Sequence, residues 1–291
     1  MPWLTFRLRV KSFLMAVWKK QWFFAIPYLV LSAHFRGFVF CEFIVERILS
    51  GGVLSKIQRY RHELDYSYAL GATLTYELLN NAPQLVSRVY VSSAINKTEA
   101  NMGLLSKCQS LGIQVEINDK AFNILSPKGN CFVIGEFRKQ IQSIGAGSHI
   151  VLVNPSDAGN LGTILRTATG FGLTDIAIIR PAVDFYDPKT IRATMGAAFH
   201  VRVEYFDNIK DYVKRFPENK MYAFMLTASK PIYDVDIIQP YSLIFGNEAN
   251  GLPDEYAVFC KSVIIPHSNN IDSLNLPVAA SIAMYEFTKN K

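Results

Sequence analysis

The sequence predicts an α/β protein with a mainly parallel sheet in its second half and a smaller α/β domain before it. From residue 149 onward, short apolar runs alternate with segments of helical periodicity, which implies parallel strands joined by helices on both faces of a sheet. The first run, HIVLV at 149–153, is a near-continuous apolar run, as expected for a strand buried on both faces. With 291 residues and 50% apolar content, the chain can bury this core without disulfides or metals.

The composition excludes several classes of protein. Its 13% aromatic and 19% charged residues exclude disordered and collagen-like chains. The net charge of +6 arises in residues 1–41, which hold six basic and no acidic side chains, so the basic pI gives no argument for nucleic-acid binding by the remainder. The four cysteines are scattered and the five histidines lack metal-binding spacing, which favours a reducing compartment and no metal site.

Residues 1–50 form a basic, apolar N-terminal extension that holds all three tryptophans. Its apolar run at 21–33 is about 13 residues long, short of the ~20 residues that span a bilayer. Three interpretations stay open: a membrane-surface or weakly spanning segment within 1–45, a targeting presequence, or an extension without settled structure. We therefore expect a cytoplasmic protein, with an organellar location or membrane association through residues 1–45 as alternatives.

The first domain is predicted over residues 53–137, after a glycine pair that marks a boundary. Its predicted elements are a helix at 66–79, a strand at 86–92, a helix at 101–111, strands at 113–117 and 131–134, and a loop in the polar half of 122–129. The following segment, 138–148, is polar and contains two glycines, so it predicts a hinge-like linker.

The second domain is predicted over residues 149–291. After its first strand, apolar runs predict strands at 175–180, 201–206, 220–226, 241–245 and 262–265. Periodicity and terminal signals predict helices at 161–171, 188–198 and 276–288. Because ligands of such sheets bind at the carboxyl ends of the strands, we expect the chemistry in the loops that follow the strands.

The first of these loops runs from Asn154 to Asn160 and leads into a helix that carries Arg166. A guanidinium fewer than two turns from the loop is suited to bidentate phosphate binding. The glycines of the loop do not form a known dinucleotide or phosphate loop. A surface or interdomain ion pair is the alternative role for Arg166.

The second loop begins with Gly246, Asn247 and Glu248, directly after a strand. Gly246 would let a flat ligand approach the backbone, and Glu248 would order an arginine or a hydroxyl. An ordinary turn with a capping acid is the alternative.

The third loop runs from Ile265 into a helix near Pro277 and carries Ser273 and Asn275, for which helix capping is the alternative role. His267 and Asp272 also lie in this loop, but no serine or cysteine nucleophile elbow accompanies them, so a hydrolase is not expected.

Together, the three loops resemble the three signature motifs of the SpoU (TrmH-type) RNA ribose 2′-O-methyltransferases of the SPOUT superfamily, in the same order and at similar spacing. The matching segments are NPSDAGNLGTILRTATGFG, LIFGNEANGL and IIPHSNNIDSLNLPVAASIAMYEF. The resemblance covers about residues 149–287, and residues 53–137 are more weakly similar to the ribosomal-protein-like, RNA-binding domain of many members.

The resemblance implies a trefoil-knotted parallel-sheet methyltransferase domain, a homodimer formed through that domain, S-adenosylmethionine as cofactor, and rRNA or tRNA as partner. It implies catalytic roles for Asn160, Arg166, Glu248, Ser273 and Asn275. It implies that the cofactor is held by Leu226, Thr227, Gly246, Asn247, Gly251, Ile265 and Leu274. No metal is implied.

Two positions depart from the family pattern: Ala249 replaces a frequent glycine, and His267 replaces a methionine usual after Ile-Pro. Within the implied reaction, Arg166 would steer the target phosphate and help deprotonate the ribose hydroxyl. Because a guanidinium is normally already protonated, we favour a role shared with the bound phosphate. A non-catalytic RNA- or ribosome-binding protein on the same fold is the alternative function.

Overall fold

The structure is a computed structural model that describes residues 57–126 and 130–290. The described residues belong to one compact unit, which extends from residue 57 to residue 291. The N-terminal extension, with its three interpretations, lies outside the described residues. Within the described ranges, no helix is both long and apolar enough to cross a membrane.

The smaller sheet is built from the first part of this unit. Its elements in chain order are β1 (Tyr66–Leu70), α1 (Ala72–Asn81), β2 (Val86–Val91), α2 (Glu99–Ser110), β3 (Val115–Ile117), α3 (Asp119–Leu125) and β4 (Val133–Arg138). The strand order is β1-β4-β2-β3, with β4 antiparallel to both of its neighbours and β2 parallel to β3.

The larger sheet confirms the predicted parallel architecture. Its strands are β5 (His149–Val153), β6 (Asp175–Ile179), β7 (Arg202–Phe206), β8 (Lys220–Phe224), β9 (Tyr241–Phe245) and β10 (Lys261–Val263). Its helices are α4 (Ala158–Gly170), α5 (Pro188–Ala193), α6 (Ile209–Arg215), α7 (Tyr256–Phe259) and α8 (Leu276–Thr288). The order is β10-β8-β9-β5-β6-β7, and every neighbouring pair is parallel.

Strand β5 shows why the larger sheet has two covered faces. Ile150 and Leu152 join one apolar cluster with α4, whereas Val151 and Val153 join a second cluster with Tyr212 of α6. Alternate side chains of a strand point to opposite faces, so a strand inside two cores must be apolar at every position. The first cluster also continues into the smaller sheet, so the two sheets share one apolar core.

The predicted helix over 66–79 is wrong. Residues 66–70 form β1, which pairs with β4, and the helix begins only at Ala72. Gly71 separates the two elements with a φ of 111°, a conformation that residues with a side chain rarely adopt. The apolar residues on the two sides of Gly71 together have a helical spacing, although they belong to β1 and to α1.

Helix α3, over residues 119–125, was not predicted. Asn118 caps this helix by accepting a hydrogen bond from the Ala121 amide at 3.3 Å, and Phe122 is buried beneath it. The polar half of 122–129, which was predicted as a loop, follows this helix, and its residues 127–129 lie outside the described residues. Helix α6 was not predicted either.

Segment 138–148 is tethered where the sequence predicted a hinge. The Val203 amide donates to the side-chain oxygen of Gln142 at 2.8 Å, and the Ile144 amide donates to Glu204 at 2.9 Å. The buried His149 ring donates from Nε2 to the Gly145 carbonyl at 2.9 Å. These bonds hold the connection against the edge and the amino ends of the larger sheet.

Candidate active site

A cleft of about 210 Å³ lies at the carboxyl ends of β8, β9 and β10. It unites the second and third loops singled out in the sequence. Eight predicted site residues line it: Leu226, Gly246, Asn247, Glu248, Gly251, Ile265, Ser273 and Leu274. Four predicted site residues lie outside its lining: Asn160, Arg166, Thr227 and Asn275.

Gly246 is a position where the backbone leaves no space for a side chain. A Cβ built there would lie 2.1 Å from the carbonyl carbon of Gly251. The loop is closed by two backbone hydrogen bonds, from Asn247 N to Gly251 O at 3.2 Å and from Gly251 N to Asn247 O at 2.9 Å. Gly251 has a φ of 64°, so the narrow loop requires glycine at both ends.

Glu248 joins the second loop to the first. Its Oε2 accepts hydrogen bonds from the Ser156 amide at 3.1 Å and the Ser156 hydroxyl at 2.8 Å. Its Oε1 accepts from the Asp157 amide at 3.2 Å and from Asn160 Nδ2 at 3.3 Å. Asn247 Nδ2 lies 3.3 Å from Oε2 and supplies a fifth donor.

These contacts hold Glu248 as a carboxylate. Desolvation alone would raise its pKa, but hydrogen bonds from backbone amides and from the side chains of Ser156 and Asn160 bring the pKa below its usual value. The sequence predicted that Glu248 would order an arginine or a hydroxyl, and the structure shows its contacts with the Ser156 hydroxyl and the Asn160 side chain. Ser156 itself was not predicted as a site residue.

Asn247 acts on the backbone around it. Its Nδ2 donates to the Asn154 carbonyl at 2.8 Å, and its Oδ1 accepts from the Ala249 amide at 2.9 Å. Asn154 has a φ of 55° at the end of β5, a left-handed conformation that asparagine tolerates better than most residues. The Asn247 side chain therefore couples the ends of β5 and β9, and it also lines the cleft.

Helix α4 presents the residues of the first loop. The Asp157 side chain caps it by accepting from the Asn160 amide at 2.8 Å. Arg166 is exposed on this helix, and it forms no hydrogen bond or ion pair with any residue in 57–126 or 130–290. The ion pair considered as an alternative for Arg166 thus has no partner within these ranges, and its guanidinium is available to a ligand.

The third loop supplies uncommitted polar side chains. Ser273 is exposed and lines the cleft. Asn275 occupies the N-cap position of α8, but its side chain makes no capping hydrogen bond, and Pro277 stands in the first turn. The capping role considered for Asn275 is therefore not carried by its side chain.

Two other predicted positions are peripheral or differently engaged. Thr227 is exposed in the turn after β8 and lies outside the cleft lining, while the preceding Leu226 lines it. His267 lines the cleft, and its Nδ1 lies 2.9 Å from the Ile265 carbonyl oxygen. Over the part of the chain that the structure describes, no three histidine, cysteine, aspartate or glutamate side chains cluster as metal ligands would.

Comparison with known families and sequences agrees with this geometry. Residues 147–285 match the model of the SpoU rRNA Methylase family. The chain is 32% identical over 145 residues to "Putative tRNA (cytidine(34)-2'-O)-methyltransferase" of Listeria innocua, covering 48% of this chain and 85% of that protein. It is 29% identical over 150 residues to a 23S rRNA (uridine(2479)-2'-O)-methyltransferase of Streptomyces viridochromogenes, covering 49% and 52%. The chain spans about half the length of the first curated relatives it matches.

Solved structures share the fold. An AdoMet-bound rRNA methyltransferase from Sinorhizobium meliloti superimposes with a TM-score of 0.65 at 26% identity, over 78% of this chain and 88% of that one. The SpoU methyltransferase AviRb from Streptomyces viridochromogenes superimposes with a TM-score of 0.68 over 86% of this chain and 97% of that one, and at 19% identity it bears on the fold alone. The α/β fold with a parallel sheet is thus that of SpoU methyltransferases, and the chain belongs to the SpoU rRNA methylase family.

Proposed function

We propose that the protein is an S-adenosylmethionine-dependent methyltransferase that methylates a ribose 2′-hydroxyl of rRNA or tRNA. The observation that carries the proposal is the meeting of all three loops at one edge of the sheet: the second and third loops line the cleft, and Glu248 fastens the first loop to them. The names of the relatives support the reaction class, since they include 23S rRNA and tRNA 2′-O-methyltransferases.

The cleft suits the proposed cofactor. Gly246 lets its loop fold back closely on Gly251 at the cleft, and Leu226, Ile265 and Leu274 provide apolar walls. We assign cofactor binding to Leu226, Thr227, Gly246, Asn247, Gly251, Ile265 and Leu274, with Asn247 acting through the shape of its loop and Thr227 at the rim. When bound, S-adenosylmethionine supplies a methyl group that its sulfonium charge already activates.

The reaction then requires positioning and the removal of one proton from a weakly nucleophilic hydroxyl. Glu248 fixes the Asn160 side chain, and Arg166, which has no ion-pair partner within the described residues, binds the phosphate next to the target ribose. Because the guanidinium already carries its proton, the phosphate that Arg166 holds helps to accept the hydroxyl proton. Ser273 and Asn275, whose side chains form no hydrogen bond within the described residues, complete the pocket for the hydroxyl.

We further propose that the C-terminal segment threads a trefoil knot and that the domain forms a homodimer. Strand β9 is inserted between β5 and β8, and α8 packs against α4, an arrangement that supports a threaded chain. Helix α8 also exposes Val278, Ile282 and Tyr285, which lie along one helical face. A second copy of the chain would cover this apolar stripe.

The smaller sheet is proposed as the ribosomal-protein-like, RNA-binding part, and the cytoplasm as the site of action. Association with a membrane or an organelle through residues 1–45 is the competing proposal. Fractionating the full chain and a chain beginning at Gly51 separates the two, because an anchor would bring only the full chain into the membrane fraction.

The activity is tested by transfer of a labelled methyl group from S-adenosylmethionine to rRNA and tRNA. Arg166→Ala should reduce turnover at least a hundredfold while cofactor affinity stays nearly unchanged, since Arg166 lies outside the cleft lining. Lys210→Ala, which removes an exposed cation from α6, is the matched control and should retain full activity. A protein that binds RNA but neither binds cofactor nor transfers methyl groups would instead be the non-catalytic binding protein.

A further inference from the structure

His267 is a cleft residue that the proposed reaction does not yet use. It is half-buried in the loop after β10 and lines the cleft. Among the residues that line the cleft, Glu248 and His267 are the ionisable ones. An imidazole ring at this position can form hydrogen bonds with a ligand, which the neighbouring apolar side chains cannot.

The backbone fixes the tautomer of the neutral ring. His267 Nδ1 lies 2.9 Å from the Ile265 carbonyl oxygen, and a carbonyl can only accept. Nδ1 therefore carries the hydrogen, and Nε2 of the neutral ring has a lone pair. Within residues 57–126 and 130–290, no hydrogen-bond donor contacts Nε2. The ring is thus anchored at one nitrogen and offers an acceptor at the other.

The acceptors of Glu248 and Asn247, which also line the cleft, are already used. The two oxygens of Glu248 accept from five donors, which fills the capacity of a carboxylate. The Oδ1 of Asn247 accepts from the amides of Ala249 and Asn250. A ligand that brings an N–H or O–H group to this end of the cleft therefore finds His267 Nε2 as an available partner.

We propose that His267 Nε2 accepts a hydrogen bond from the adenosine half of the cofactor, an inference that rests on the proposed function. The donor is the adenine amine or a ribose hydroxyl. Ile265, Leu274 and Leu276 line the same cleft as His267, and their apolar side chains suit the flat face of a nucleobase. His267 is then a binding residue that sets cofactor affinity in this chain.

The test is calorimetric binding of S-adenosylhomocysteine and of adenosine to the full chain. His267→Met should weaken the binding of both ligands about threefold to tenfold, the effect of losing one neutral hydrogen bond. His267→Gln, whose amide oxygen can accept, should stay within about twofold of wild type. Asn270→Ala, in the same loop but outside the lining, is the matched control and should bind normally. The KM for RNA should not change in any of these variants.

The ligands distinguish the sources of the donor. If the adenine amine is the donor, S-inosylhomocysteine, which lacks it, should bind wild type and His267→Met equally. If a ribose hydroxyl is the donor, the His267→Met change should reduce the affinity for S-inosylhomocysteine by the same factor as the affinity for S-adenosylhomocysteine. A loss for S-adenosylhomocysteine but not for adenosine would place the donor on the amino-acid half and overturn the inference.

Unchanged or tighter binding of both ligands by a folded His267→Met protein would also overturn it. Should that variant fail to fold, His267→Ala tests the same acceptor without the longer apolar chain. If wild type binds neither ligand, the proposed function itself fails, an outcome distinct from a wild type that binds and a variant that binds equally well.

Discussion

Replacing Glu248 by glutamine keeps the shape of the side chain and removes its charge and one of its two oxygens. In the native site, Oε2 accepts from three donors and Oε1 from two. The NH₂ group of the glutamine must therefore face donors whichever way it turns. The cheaper orientation puts the NH₂ at the position of Oε1, where it opposes the Asp157 amide and Asn160 Nδ2.

The expected cost follows from those two contacts. Hydrogen bonds to charged groups contribute about 1.5–3 kcal/mol when buried, and less where solvent reaches them. Because both contacts are long, at 3.2 and 3.3 Å, and Glu248 is only partly buried, we assign about 1 kcal/mol to each. Glu248→Gln should thus lower the free energy of unfolding by about 2 kcal/mol and release the Asn160 side chain, so that methyl transfer also falls.

Urea unfolding measures the first effect and labelled methyl transfer the second. Glu255→Gln, an exposed glutamate just before α7, is the matched control and should leave both unchanged. The pKa of folded Glu248 lies below the usual 4.5, so its stabilisation is present above that pH and is lost as the pH falls through the folded value. The difference in free energy of unfolding between wild type and Glu248→Gln should therefore become smaller in acid. A variant as stable as Glu255→Gln, or a difference independent of pH, would refute the reasoning.

Three further predictions concern other parts of the fold. Burial lowers the pKa of His149, so the unfolded chain takes up a proton that the folded state excludes. The melting temperature should therefore fall as the pH drops below about 6.5, and a constant melting temperature between pH 7.5 and 5.5 would contradict this. Gly246→Ala places a Cβ against the facing backbone and should weaken S-adenosylhomocysteine binding at least tenfold. Gly103→Ala is the control, because a Cβ there meets no atom within 4 Å, and it should not weaken binding. Equal affinities of the two variants would contradict the tight packing of the loop at Gly246. Ile282→Asp on α8 should convert a dimer into a monomer in sedimentation, whereas Val258→Asp on the exposed face of α7 should not. If both variants sediment as dimers, the interface does not include this face of α8.

The sequence predicted the larger sheet well because its central strands carry a strong signal. Residues 150–153 are apolar without interruption and all buried, as a strand covered on both faces requires. The smaller sheet lacks such a signal. Its first strand is followed at once by a glycine and a helix, so residues 66–79 have one apparent period although they form two elements. Tertiary pairing with β4, which no local window contains, decides between them.

The same limit applies to the site. Gly246, Glu248 and Ser273 could be predicted because they lie in loops that follow buried strands, where the ligands of parallel sheets bind. The bonds of Glu248 to Ser156 join positions 92 residues apart, and no local pattern indicates which acid meets which serine. The linker was misjudged for a similar reason, since its glycines suggest a hinge while its hydrogen bonds to β7 come from a distant part of the chain.

The polar groups of the site fall into two sets: those that bind other protein groups, and those that are free within the described residues. Glu248 and Asn247 use nearly all their donors and acceptors in hydrogen bonds to other protein groups, and these bonds hold the ends of β5 and β9 together despite the left-handed backbone at Asn154. The side chains of Arg166 and Ser273 form no hydrogen bond within the described residues. A positioning mechanism needs this division, because groups that meet the substrate must be free while those that hold the backbone must not move. The division also predicts that substitutions at Glu248 affect stability and activity together, whereas Arg166→Ala affects activity alone.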